Sequence, residues 1–377
     1  GQWHNGMVPN IIFRDESKYR IDRNVWRSWV NPYAPNEVRT TGITQPPIIA
    51  EAVVRIGKRM EWYERRQWYK MVFPALVAYH SWLYNDRDPH GEGLVLQVHP
   101  WETGLDNTPP WMAEMHEHQL PAWIRMIEKT KFDRVLNIFR RDTKHIPIDQ
   151  RFTTIEVLAL LDIQRRLRRK AYNIDRILNH GLFAIEDLSY NSMFIRANAI
   201  LRDIAKSLKE ELPSELEKRM KKTEKALEEL WDPYSAQYYS RDFVTHRLLK
   251  VPTVATLLPL YAGSVSQERA EQLVKHLESE HSFGPAFPAP SVPTNSFWFH
   301  PKLYWQGPTW VNINWLIIDG LERYGFKDHA QALTESTLEM VKKSGCYEYF
   351  DPLTGEPAGS PNFSWTAALV IDLLKTK

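Results

Sequence analysis

The stretch "WETGLDNTPPW", Trp101 to Trp111, sets one aspartate, Asp106, among two tryptophans, a glycine and a Pro-Pro pair. A carboxyl held against aromatic surface loses hydration. Its pKa rises, and near neutral pH it keeps a proton to donate. A departing glycosidic oxygen needs such a donor. The plainer reading is a turn, with Thr108 capping a helix that opens at Pro109 and Asp106-Asn107 leading into it. Against the turn alone stand the flanking Trp101 and Trp111, and Gly104, which lets the backbone approach a partner closely. A proton donor calls for a second carboxylate as base. Glu348 lies between Tyr347 and Tyr349, just past a helical pattern that ends near Gly345. Its alternative reading is an exposed strand residue. Asp351 is explained by an Asp-Pro turn and Glu356 by loop solvation.

A third stretch, "FWFHPKLYWQGPTWVNINW" from Phe297 to Trp315, places Tyr304, Trp305, Gln306 and Trp310 at a helix start. Such residues can form a wall that stacks on a sugar ring and hydrogen-bonds its hydroxyls. Core packing is the alternative for each aromatic. Gln45, in "RTTGITQPP", sits at a loop mouth before a helix. Arg141, in "RRDTKHIP", either grips a substrate carboxylate or pairs with Asp142. His116 and His118 of "MHEH" are two apart, on different sides of a helix, so no shared metal is expected. "NDRDPHGEG" lacks the spacing of a calcium-binding loop. The phosphate-binding and dinucleotide glycine fingerprints are absent, as is G-x-S-x-G. No cofactor and no metal are expected.

Composition narrows the field. The 377 residues carry 48 basic and 46 acidic side chains, a net charge of +2. That balance gives no argument for a nucleic-acid partner or an anionic membrane. No apolar run approaches the roughly 20 residues that span a bilayer. The single cysteine, Cys346, excludes an internal disulfide framework and fits a reducing, cytoplasmic setting. The 15 Trp, 16 Tyr and 15 Phe favour carbohydrate, because sugar rings offer an apolar face and a polar rim.

The elements that must hold these residues are helical. Apolar residues recur at helical spacing over 46–66 and 67–85, with Pro74 expected to kink the second stretch. Further helices are expected near 109–130, 153–172, 189–210, 214–231, 246–261, 266–280, 308–325, 329–344 and 363–375. Only short pieces such as Leu94 to Pro100 read as strands. Three helices end in an Asp-Pro turn, in "RDPHGEGLV", "WDPYSAQYY" and "FDPLTGEPA". The repeated helix–loop–helix chemistry, with no linker between, points to one all-α domain over 1–377, a toroid of paired helices.

Taken together, "GQWHNGMVPNIIF", "GITQPP", "WETGLDNTPPW", "YWQGPTW" and "EYFDPLTGEPAGSPNFSWTAAL" resemble glycoside hydrolase family 63, the six-hairpin glycosidases with an (α/α)6 barrel. The likeness is strongest to the branch of mannosylglycerate and glucosylglycerate hydrolases. It implies an inverting α-glycosidase without a cofactor, acting on a small glucoside or mannoside. Asp106 matches the family's general acid, within W-x-x-G-x-D-N, and Glu348 its general base. Tyr304, Trp305, Gln306 and Trp310 match its sugar-binding wall. Gln45, Trp101 and Gly104 match substrate-contacting loops, and Arg141 is matched to a glycerate carboxylate. Family members carry a helix and a Trp-Asp loop upstream of where this chain opens, so the barrel is expected to lack that first helix. A trehalase-like or oligosaccharide α-glucosidase and a non-catalytic sugar binder are the alternatives. A sugar epimerase calls for paired histidines, which His99, His300 and His329 do not offer.

Overall fold

The computed structural model describes residues 1–115, 120–140, 142–144, 146–179 and 183–375. Its contacts gather into two compact units. One comprises Gly1–Gly104, Leu161–Leu230 and Ser240–Leu248; the other comprises Leu105–Leu160, Trp231–Tyr239 and Leu249–Lys377.

The first unit is built around the helix Leu188–Leu208, which is apolar on nearly every side and buried along most of its length. Asp187 caps it by accepting from the Tyr190 amide, and Lys209 closes it in the left-handed conformation. Ile49–Gly57, Trp62–Arg87 and Ser214–Ala226 pack on it. Polar groups in this core are matched. Asn198 meets His80 Nδ1 at 2.8 Å and donates to Tyr84 Oη at 2.9 Å. Burial pushes His80 down to about 4, so it is neutral at pH 7.

The second unit centres on the helix Val311–Arg323, packed against Pro259–Ala262, Lys327–Ser344 and Ser364–Lys375. Gly320 permits the approach to Pro259–Ala262, because a Cβ there would lie 2.7 Å from the Tyr261 amide nitrogen. Tyr347–Phe350 and Pro357–Pro361 form an antiparallel hairpin in the register Tyr349↔Ala358 and Phe350↔Pro357. Thr309 joins its edge through two backbone hydrogen bonds with Phe350.

Most expected helices are present within a few residues, and the exceptions have causes. The break expected near 66 falls earlier, between Gly57 and Trp62. Pro74 lies inside Trp62–Arg87, which runs through it. The helix expected over 109–130 is two, Pro109–Glu114 and Ala122–Lys129, the second opening behind Pro121. Over 246–261 there is only a turn at Val254–Leu257 and the short Pro259–Ala262, since Pro252 and Pro259 prevent a continuous helix. Leu94 to Pro100 is not a strand pair; Gln97 makes one bridge to Ile185. Arg20–Trp26 and Ile174–Leu178 are additional helices.

All three Asp-Pro turns fold the same way, with the aspartate gathering amides of its own turn. Asp88 accepts from Glu92 and Gly93, Asp232 from Ser235, and Asp351 from Leu353 and Thr354. Among the described residues no helix is long and apolar enough to cross a membrane.

Candidate active site

Asp106 stands in the turn before Pro109–Glu114. Thr108 occupies the cap position, but its hydroxyl turns back to the Leu105 carbonyl at 2.7 Å and caps nothing. The turn is fixed from the far end of the chain. Asn107 Oδ1 accepts from the Trp305 amide and its carbonyl from Gln306 Nε2, both at 2.9 Å. These bonds bring Tyr304 beside Asp106, and the phenol donates to Asp106 Oδ2 at 3.0 Å. Tyr304 holds a positive φ of 42°, a backbone conformation side chains seldom adopt and one often retained at functional sites.

Burial pushes the Asp106 carboxyl up to about 7. The Tyr304 hydrogen bond and the positive charge of Arg151 pull the other way, and the negative charge of Glu348 adds to the rise. Near neutral pH the group therefore keeps a proton on a large share of molecules. Burial, with Asp106 and Glu348 nearby, raises the Tyr304 phenol well above its ordinary range, so it stays a donor.

Glu348 is 7% exposed and carries three hydrogen bonds. Arg151 forks onto it, Nη1 to Oε1 at 3.2 Å and Nη2 to Oε2 at 2.5 Å, and the Ser360 amide donates to Oε2 at 3.0 Å. The Arg151 guanidinium also lies 4.9 Å from the centre of the Tyr304 ring.

Trp305 and Trp310, each 2% exposed, stack on one another with ring centres 3.8 Å apart and planes within 3°. Each spends one face on the other, so core packing describes the pair; Tyr304 is the aromatic left partly accessible. Trp310 Nε1 donates to the Tyr304 carbonyl at 2.9 Å and buttresses that conformation. Gln306, also buried, serves Asn107.

Asp106, Glu348, Tyr304, Trp305, Gln306 and Trp310 thus belong to one compact unit and one bonded network. Gln45, Trp101 and Gly104 belong to the other unit. There Gln45 Nε2 donates to the Trp101 carbonyl at 3.2 Å, and Pro46 packs at Gly104. Arg141, His116 and His118 lie outside the described residues. The pairing considered for Arg141 is made by its neighbour: Arg140 forks onto Asp142 at 3.2 and 2.5 Å and donates to the Phe152 carbonyl. Arg151, Gln150 and Ser360 were not expected; Ser360 lies within the stretch "EYFDPLTGEPAGSPNFSWTAAL", and no motif marks Arg151 or Gln150. Among the described residues no cluster of three metal-ligating side chains occurs.

The fold and its likenesses make this a glycoside hydrolase of the all-α (α/α)6 class. The chain is similar to the family 63 mannosylglycerate hydrolase of Thermus thermophilus, solved with Tris and D-glycerate. The TM-score is 0.87 at 35% identity, covering 100% of this chain and 86% of that one. Neutral trehalase from Saccharomyces cerevisiae shares the fold alone, with a TM-score of 0.56 at 18% identity over 89% of this chain and 62% of that one. The chain belongs to the mannosylglycerate hydrolase MGH1-like glycoside hydrolase family, whose model matches residues 1–366. Among its relatives, a mannosylglycerate hydrolase of Rubrobacter radiotolerans is 35% identical over 99% of this chain and 83% of its own length. A glucosylglycerate hydrolase of Mycolicibacterium hassiacum is 29% identical over 99% and 84%.

Proposed function

We propose that the protein hydrolyses a small α-glycoside of glycerate, mannosylglycerate or glucosylglycerate, with inversion at the anomeric carbon. One observation carries the mechanism: the Asp106 carboxyl is pushed up to about 7 in the same unit as an ionisable partner, Glu348. Asp106 gives its proton to the leaving oxygen. Glu348 takes a proton from the water that attacks the opposite face. Inversion requires room for that water, which corresponds to carboxyl groups roughly 6.5–9.5 Å apart. Tyr304 offers the sugar an aromatic face, with Trp305, Gln306 and Trp310 supporting it. Gln45, Trp101, Gly104 and Arg141 are assigned to the substrate's remaining contacts, Arg141 to its carboxylate. The glycerate aglycone is supported by the relatives, whose names carry mannosylglycerate and glucosylglycerate. Because the family model spans both compact units, 1–377 is treated as one catalytic domain. The lone Cys346 supports a cytoplasmic setting.

The test is hexose release from mannosylglycerate, glucosylglycerate and trehalose, with the anomer of the first product followed by NMR. Release of β-hexose from a glycerate substrate, abolished in folded Asp106→Ala and Glu348→Ala, is the expected result. α-Hexose as first product would sink the inverting mechanism, and turnover of trehalose alone would sink the substrate.

A further inference from the structure

Glu348 is held from a segment that touches both strands of its hairpin. Gln150 Oε1 accepts from the Gly359 amide at 2.9 Å, and its carbonyl accepts from Tyr349 Oη at 2.5 Å. The next residue is Arg151. A carboxylate offers about four lone-pair sites, two on each oxygen. On Oε2 both are taken, by Arg151 Nη2 and the Ser360 amide. That side is also closed by backbone: a Cβ on Gly359, at φ +73°, would come within 2.8 Å of Oε2. Among the described residues Oε1 accepts from Arg151 Nη1 alone. Arg151 itself leaves Nε buried without a partner, an arrangement that costs stability and is retained where function requires it.

We propose that Arg151, carried by Gln150, is the positioning residue for the general base, and that its fork reserves Oε1 as the oxygen receiving the water proton. In the step, one O–H bond of water breaks and its proton goes to Glu348 Oε1. The water oxygen bonds the anomeric carbon as the glycosidic C–O bond breaks, and the Asp106 proton goes to the leaving oxygen. Rotation of the Glu348 carboxyl would break both arms of the fork. The same guanidinium faces Tyr304, whose hydroxyl is on Asp106, so one cation addresses both carboxyl groups. The inference rests on the reading of Glu348 as base.

The experiment is steady-state hydrolysis of mannosylglycerate and glucosylglycerate by the full chain and by Arg151→Ala and Arg151→Lys, across pH, with added guanidinium or urea at non-denaturing concentration. Arg151→Ala is expected to lose about 100-fold in kcat with little change in KM, the effect of a misplaced reacting group. Guanidinium restores part of the loss, while urea, of similar shape but neutral, does not. The alkaline limb of kcat/KM moves upward, because Asp106 has lost a neighbouring positive charge. Arg151→Lys keeps the charge but not the fork, and loses kcat as well. A wild-type kcat in Arg151→Ala, or a loss that guanidinium does not relieve with the alkaline limb unmoved, overturns the proposal alone. A wild type that releases no hexose overturns the hydrolase reading with it. Should Arg151→Ala fail to fold, a folded Arg151→Lys decides: reduced kcat supports the proposal and wild-type kcat overturns it.

Discussion

Glu102 and Asp106 belong to the same short stretch of chain, in different compact units, and both are carboxyls that burial pushes up. Their partners differ. Glu102 is fully buried and has three donors on it: Arg87 Nη2 at 2.6 Å, the Val98 amide at 2.8 Å and the Thr44 amide at 3.1 Å. Arg87 and those amides offset the cost of burial by stabilising the charge. Among the described residues Asp106 has one phenol on one oxygen. The first acid fastens Thr44, Arg87 and Val98 to one another. The second is desolvated but underserved, which is the state that holds a transferable proton. Between these two acids burial is shared, and what differs is the donor set around each carboxyl.

The sharpest test exchanges the two residues' fates. Asp106→Asn should lower kcat/KM by about 10²–10⁴-fold, the usual share of a positioned acid, while urea melts show stability kept or raised. Glu102→Gln should do the reverse. It strands the Arg87 guanidinium in the interior and is expected to cost about 3–5 kcal/mol, with kcat per folded molecule near wild type. A stable Glu102→Gln protein that has lost turnover would erase the distinction.

A smaller effect is expected in the pH dependence. The folded-state value for Asp106, about 7, is raised above the ordinary 3.8. The folded protein therefore binds this proton more tightly than the unfolded chain. Its contribution to stability is present below about pH 4 and is lost as pH rises to about 7. Urea melts across that window should show this slope in the wild type and lack it in Asp106→Asn. Activity falls along the same alkaline limb, as the donor loses its proton. A limb centred well below about pH 6 would contradict the assignment.

The smallest effect is expected for Tyr304→Phe. Removing the hydrogen bond that favours ionised Asp106 moves the alkaline limb upward, and the loss of one bond costs about 1 kcal/mol, roughly fivefold in kcat/KM. A downward shift of the limb would show that the phenol stabilises the protonated form instead.

Asp106 was singled out in the sequence because the residue types around it are local; that burial raises its carboxyl to about 7 came from the structure. The helices were legible where periodicity ran unbroken, as in 189–210. They failed in 246–261, where Pro252 and Pro259 overrule the apolar spacing. The aromatic positions of "YWQGPTW" were visible, but not that Trp305 and Trp310 consume each other's faces, since exposure depends on what folds against a ring. Arg151 was invisible for a plainer reason. Its partner is 197 residues away, and nothing local distinguishes it from the other arginines.

The indole stack also bears on how this enzyme can change. Two rings 3.8 Å apart in parallel planes are one object as far as selection is concerned. A substitution at 305 alters the footing of 310, and through Trp310 Nε1 it alters the Tyr304 that hydrogen-bonds Asp106. Single replacements at 305 and 310 are therefore expected to be non-additive, as those of contacting residues are. The pair thus ties the setting of Tyr304, and through it that of Asp106, to one packed unit.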